Sequence, residues 1–364
     1  MSVARLTLDQ CRSLCVASLT RSGLASGLAS PVADCITAAE RDGCESHGLY
    51  RLPGYCAALR TGRVDGRAAP ALEPPSASAS RRAVVRVDAR GGFAPPALEL
   101  ALPLVAAAAH EHGVSVGALR DSCHFGALWW EAERLATEWG LVALVFCNSQ
   151  AFVAHAAPPP GADPSGAPPR RVYGTNPMAF AFPRADAEPL VWDQASSACA
   201  RGEIQLALRD GKPLPTRPPV ALDASGAPTA DAVAALEGAQ LPFGAHKGAM
   251  IAMMVELLAA ALAGGALATD AAEAARGWTG PTSNGQLLIA IDPRAFGGGD
   301  AAGPLHTCER LMANILQSEG ARLPSARRYA NRRVTPTEGI AIPAALHEEI
   351  VALTRGEVRE EGIF

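Results

Sequence analysis

Residues 114–149 read "VSVGALRDSCHFGALWWEAERLATEWGLVALVFCNS", and this stretch decides the fold class. "VSVGALRDSCHF" reads as a strand leading into a polar turn, and residues 126–139 space their apolar side chains as an amphipathic helix. "LVALVFCNS" follows as a buried strand that ends in Asn148 and Ser149. Strand, helix and strand in succession predict a mixed α/β fold. Strand ends that feed loops are where binding groups gather on a rigid scaffold, so Ser149 is a candidate for a site.

Outward from this unit, alanine-rich helical spacing covers 97–112, and the alternation in "AVVRVDA" signals a strand before it. Helical spacing at 6–24 and 31–41, with a short third helix after Pro53, predicts a helical N-terminal part. "APALEPPSASASRR" and "PPPGADPSGAPPRR" are loops or insertions by composition. "MAFAFP", "PLVWDQ" and "GQLLIAIDP" read as strands, 246–263 as a long buried helix and 304–318 as a further helix. The expected division is a helical N-terminal part over 1–75, a catalytic body over 76–320 and a C-terminal segment over 321–364 that packs back on the body.

The 364 residues are 49% hydrophobic, enough for a sizeable core. Lys+Arg of 32 against Asp+Glu of 36 gives a net charge of -4 with no basic stripe, which argues against a nucleic acid partner. "GAMIAMMVELLAAALAGGALA" has the length of a membrane span, but Glu256 lies inside it, Lys247 abuts it and alanine dominates it, so a soluble helix is expected. Nine cysteines without CxxC spacing and an N-terminus without an apolar signal core lead us to expect a cytoplasmic chain with free thiols.

The "GGGDAA" at 297–302 is a poor dinucleotide fingerprint, because Asp300 puts a carboxylate where pyrophosphate must sit and no second strand follows. His110, His112 and His124 lack the spacing of a metal site, so no metal is expected. What remains is "RDGCESHGLYR" at 41–51. If "HGLYR" begins a helix, His47 and Arg51 at i and i+4 share one face. The planar fork of Arg51 then suits a carboxylate and His47 suits a proton. An ordinary capped helix start uses the same residue types, and residue chemistry by itself leaves both readings open.

"RDGCESHGLYRLPGY", "YGTNPMAFAFP", "DQASSACARGEI", "LPFGAHKGAMIAMMVELLAAALAGG" and "GQLLIAIDP" together resemble, in order and spacing, the malate/L-lactate dehydrogenase family of non-Rossmann NAD(P)-dependent oxidoreductases. The likeness runs from about residue 6 to about residue 345. "SCHFGALW", "LPFGAHKG" and "RLPSARRYANR" look most like the branch that reduces Δ1-piperideine-2-carboxylate and Δ1-pyrroline-2-carboxylate. The resemblance implies an L-sulfolactate/malate dehydrogenase-like α/β fold, with a mixed, largely antiparallel sheet flanked by helices.

By the same resemblance Ser46 and His47 form the catalytic pair, His47 as proton donor, with Glu203 completing a relay. Arg51 corresponds to the residue that holds the substrate carboxylate, helped by Ser149, Arg201 and Gly202. The cofactor is expected along His124, Phe125, Gly126, Ala127 and Leu128, at Asp193, Gln194 and Ala195, and at Ala245, His246 and Lys247. Pro324, Arg327 and Arg328 complete that set, and the two arginines favour a 2'-phosphate, hence NADPH over NADH. Cys123 and Arg201 stand where relatives carry histidine, and the added charge of Arg201 bears on which acid fits.

The implied activity is NADPH-dependent reduction of a cyclic ketimine acid to L-pipecolate or L-proline by a homodimeric enzyme. The alternatives are a dehydrogenase of a 2-hydroxy acid such as malate, lactate or ureidoglycolate, and a non-catalytic cofactor-binding regulator.

Overall fold

The computed structural model describes residues 2–74, 83–123, 126–157, 169–275 and 283–357. Its centre is a seven-stranded sheet in the order Ala71–Leu72, Val84–Asp88, Val114–Cys123, Ser283–Ile291, Val142–Cys147, Met178–Phe182, Leu190–Gln194. Only Val84–Asp88 and Val114–Cys123 run parallel, joined by the crossover helix Ala94–His112; every other neighbour pair in this sheet is antiparallel. This is the mixed, largely antiparallel α/β fold that the resemblance implies.

Alternation along the central strand explains why the sheet is covered on both faces. Leu288 and Ala290 pack into one core with Leu98, Leu102, Leu135 and Val145, beneath the helices Ala94–His112 and Trp129–Trp139. Leu287 and Ile289 point the other way, with Phe146, toward Val255 and Ala259 of the opposite helix.

A second core joins the two ends of the chain. Leu19 and Ile36 from the helices Leu8–Arg21 and Ser26–Arg41 meet Leu49, Leu52, Ile350 and Leu353. Strand Val3–Leu6 pairs antiparallel with Ile340–Pro343, and helix Ala344–Arg355 packs on Leu8–Arg21. A small four-stranded sheet, Ala221–Leu222, Ala239–Gln240, Val153–Ala154 and Arg171–Tyr173, sits to one side.

Two expected elements differ. The second helix starts at Ser26 rather than at 31, because burial of Ala29, Val32, Ala33 and Ile36 carries it through Pro31. The 246–263 segment is an α-helix only over His246–Glu256 and then widens to a π-helix over Leu257–Leu262. There the carbonyl of Ala259 presses on Gly285, where a Cβ would lie 1.9 Å from it. Nor is that helix buried all round: Met250, Met253, Met254 and Leu257, at i, i+3, i+4 and i+7, are 37–55% exposed. Among the described residues no helix is long and apolar enough to cross a membrane.

Candidate active site

The Ser46–His47–Gly48 segment does not begin an α-helix. Glu45–His47 and Leu49–Arg51 are separate 3-10 turns hinged at Gly48, and the α-helix starts only at Leu52, with Pro53 in its first turn. A side chain from the preceding helix sets this break. Glu40 Oε1 accepts a hydrogen bond from Leu49 N at 2.6 Å, and a Cβ at Gly48 would lie 2.2 Å from that oxygen. The i, i+4 helical face expected for His47 and Arg51 is therefore replaced by a folded turn that still brings them close.

Within this turn Ser46 Oγ lies 3.0 Å from His47 Nδ1. Burial, and then the charge of Arg51, lower the His47 pKa to about 3. Arg51 Nε donates to Ser46 O at 2.6 Å and Nη1 to Gln205 Oε1 at 3.2 Å. Its guanidinium lies against Gly202, where a Cβ would stand 2.4 Å from Nη2. Among the described residues it meets no carboxylate, and burial lowers its pKa. A desolvated cation without an anion is a ready carboxylate site.

His47 and Ser46 face a cleft of about 880 Å³. Gly126, Ala127 and Leu128 line it, as do Asp193, Gln194 and Ala195. Asp193 accepts a bond from Trp129 N at 3.1 Å, so it caps the helix Trp129–Trp139; burial raises its pKa to about 6. His124 and Phe125 lie outside the described residues. Glu203 also lines the cleft, but its carboxylate accepts bonds from Ala200 N and the Cys199 thiol, closing the start of helix Arg201–Asp210. These are the hydrogen bonds its carboxylate makes among the described residues; it shares the cleft with His47 without bonding to it.

Ser149 reaches the cleft through a neighbour: its Oγ accepts from Thr175 N at 3.2 Å, and Thr175 is a lining residue. Arg201 instead stacks on the Phe152 ring at 4.2 Å, and burial followed by the charge of Arg171 lowers its pKa to about 10. His246 and Lys247 are exposed at the start of their helix, after Gly244 and Ala245, both with φ of +53°. Phe243 is the residue of that segment that borders the cleft.

Pro324, Arg327 and Arg328 lie on the wall, but the Arg328 charge is already engaged. It pairs with Asp42 at 2.8 Å and Glu133 at 2.8 Å and stacks on Trp129 at 4.0 Å. Arg332 binds the same two carboxylates. Arg328 thus shares two carboxylates with Arg332 and spends most of its N–H donors on them and on Ser325 Oγ, while it still lines the cleft. Arg327 and the unanticipated Arg322 are exposed on the wall with no ion pair among the described residues. Sequence reasoning also passed over Trp192, Thr175 and Pro177, although "PLVWDQ" and "YGTNP" had been singled out as segments.

Residues 6–351 match the sequence profile of the malate/L-lactate dehydrogenase family. The Δ1-pyrroline-2-carboxylate reductase of Ancylobacter novellus is 44% identical over 96% of this chain and 97% of its own. A Δ1-pyrroline-2-carboxylate/Δ1-piperideine-2-carboxylate reductase of Pseudomonas aeruginosa is also 44% identical, over 96% of this chain and 99% of its own. Among solved structures, the Δ1-piperideine-2-carboxylate reductase of Pseudomonas syringae superposes with a TM-score of 0.83 at 39% identity, covering 96% and 99% of the two chains. The sulfolactate dehydrogenase of Methanocaldococcus jannaschii superposes at 0.80 with 26% identity, covering 97% of each.

Proposed function

The chain belongs to the malate/L-lactate dehydrogenase family, and from that premise we propose that it reduces Δ1-piperideine-2-carboxylate to L-pipecolate and Δ1-pyrroline-2-carboxylate to L-proline. The observation that carries this reading is the half-buried Arg51, without a carboxylate partner among the described residues, beside a histidine kept neutral. One carboxylate completes that pair.

Reducing a C=N bond requires a hydride at carbon and a proton at nitrogen. A reduced nicotinamide cofactor supplies the hydride when bound, and the cleft fits such a group: its volume is in the range of cofactor sites, and Arg322 and Arg327, without an ion pair among the described residues, stand on its wall to meet phosphate. Arg51 holds the substrate carboxylate and so fixes which face of the ring is presented. His47 supplies the proton, with Ser46 Oγ on Nδ1 orienting the ring. Burial and then the Arg51 charge depress the His47 pKa; a bound carboxylate offsets the second of these and so raises the proton affinity of the acid.

Arg322 and Arg327 support a preference for NADPH. The exposed stripe of Met250, Met253, Met254 and Leu257 supports a homodimer, and nine free thiols support a reducing cytoplasm. The deciding experiment is a substrate panel followed by the absorbance of reduced nicotinamide. Rapid consumption of NADPH with either cyclic imine, and slow consumption with pyruvate or oxaloacetate, is expected. The reverse pattern assigns the enzyme to 2-hydroxy acids, and silence on every substrate assigns it to cofactor binding alone.

A further inference from the structure

Glu256 is a carboxylate in an otherwise apolar helix, and it is 8% exposed. Three donors converge on it: Asn148 Nδ2 at 3.1 Å and Ala268 N at 2.5 Å on Oε1, and Asn176 Nδ2 at 2.8 Å on Oε2. Burial raises its pKa, and the three donated bonds, each of which favours the carboxylate, pull it part of the way back. A buried charge of this kind adds little stability over an apolar side chain of similar volume. Its effect is orientation.

Asn176 is wholly buried at φ +38°, a left-handed conformation that asparagine tolerates. Its Nδ2 also donates to Ala252 O at 2.9 Å, so both amide hydrogens are committed and Oδ1 is left to accept from Ser149 N at 3.3 Å. Asn148 is fixed in the same way, donating to Ala266 O at 2.8 Å and accepting from Gly285 N at 3.0 Å. Ser149 then holds Thr175 N, and the approach is tight: a Cβ at Gly174 would lie 2.2 Å from Ser149 Oγ. Thr175 borders the cleft.

We propose that Glu256 is a positioning residue for the substrate end of the cleft: through the amides of Asn148 and Asn176 it sets Ser149, and through Ser149 it sets Thr175. The inference rests on the reading of this cleft as the imine-reducing site. Glu256→Gln keeps the shape but places an NH₂ against an amide donor. If Asn176 turns around in response, Ser149 N loses its acceptor.

The test is a double-mutant cycle in the full-length enzyme with Glu256→Gln and Ser149→Ala. It is read by kcat, by KM for the cyclic imine and by NADPH affinity from tryptophan fluorescence. Glu256→Gln is expected to raise the imine KM about ten-fold or more while the NADPH Kd stays within about two-fold. The second substitution should then cost less than its separate effect, because both act along one chain of bonds. An unchanged KM, or effects that simply multiply, overturns the proposal. Parallel loss of both affinities with a lowered Tm also overturns it, since that marks a merely structural carboxylate. Should Glu256→Gln not fold, Glu256→Asp, which keeps both acceptor oxygens on a shorter arm, takes its place. If the wild type reduces no cyclic imine, the functional reading fails by itself. The cycle is then run on the 2-oxo acid it does reduce or, without turnover, on binding of a cyclic carboxylate, and the same non-additivity is required.

Discussion

At His47 the environment argues first against the protonated form, because burial and the neighbouring Arg51 both favour the neutral ring. A general acid must be protonated in the reacting complex, so the rate falls as pH rises through its pKa there. In the free protein the His47 ring is therefore expected to show no protonation step by NMR between about pH 5 and 8. With an unreactive cyclic carboxylate on Arg51 its midpoint should rise by about one unit or more. A midpoint that ignores the ligand would mean that the proton comes from another group. His47→Ala should lower turnover roughly 100-fold with NADPH affinity nearly unchanged. Gly202 gives a complementary test. Its φ is not in the left-handed region and it lies in the first turn of a helix, so alanine suits the backbone. The new Cβ would nevertheless stand 2.4 Å from Arg51 Nη2. Gly202→Ala should keep its Tm while raising the imine KM by about ten-fold or more; an unchanged KM would place the carboxylate elsewhere.

Among the elements, those with long apolar periods were legible and those fixed by distant partners were not. Ser283–Ile291 alternates cleanly because each face meets its own core, and Ala94–His112 is helical over many turns. The 3-10 turns at Glu45–His47 and Leu49–Arg51 escaped, because Glu40 from another element sets the break at Gly48. Ala221–Leu222 and Val153–Ala154 are too short to carry a pattern. Ser46, His47 and Arg51 could be singled out by residue chemistry, and the resemblance supplied residues 126–128 and 193–195, Glu203 and part of the wall at 324–328. The engagement of Arg328 could not be read, since Asp42 and Glu133 lie 286 and 195 positions away. That engagement redirects the cofactor prediction to the segment holding Arg322 and Arg327. Replacing these two with alanine should weaken NADPH about ten-fold more than NADH, because each charge-assisted bond to a 2'-phosphate is lost only for the former. Equal losses measured by fluorescence titration would remove both from phosphate recognition. Arg328→Ala should instead lower Tm, because two buried carboxylates lose a partner.

Across the molecule, the two chain ends share one core with the Ser-His turn, and ion pairs from Arg328 and Arg332 tie that core to the helix Trp129–Trp139. The cleft thus lies where the N-terminal helices, the main sheet and the C-terminal segment meet. The helix His246–Glu256 stands on the other face of the sheet and presents Met250, Met253 and Met254 to solvent, in one row with Leu257 at the start of the π-helix. Its inward face carries Ala252, Val255 and Glu256, all buried, so this helix joins the exposed stripe to the network behind Thr175. Unbranched methionine side chains adapt readily to a facing surface, which suits a self-complementary contact about a two-fold axis. Met254→Glu would place a charge in that contact without touching the inward face. By sedimentation velocity the wild type should be a dimer and the variant should dissociate at least about ten-fold more readily, since burying an unpaired charge costs more than the roughly 1.4 kcal/mol that factor requires. A variant that stays dimeric at every concentration would move the interface to another face. If the variant is monomeric and its imine KM also rises, the contact supports the orientation of Glu256 from outside; if KM stays constant, the buried bonds to Asn148 and Asn176 suffice on their own.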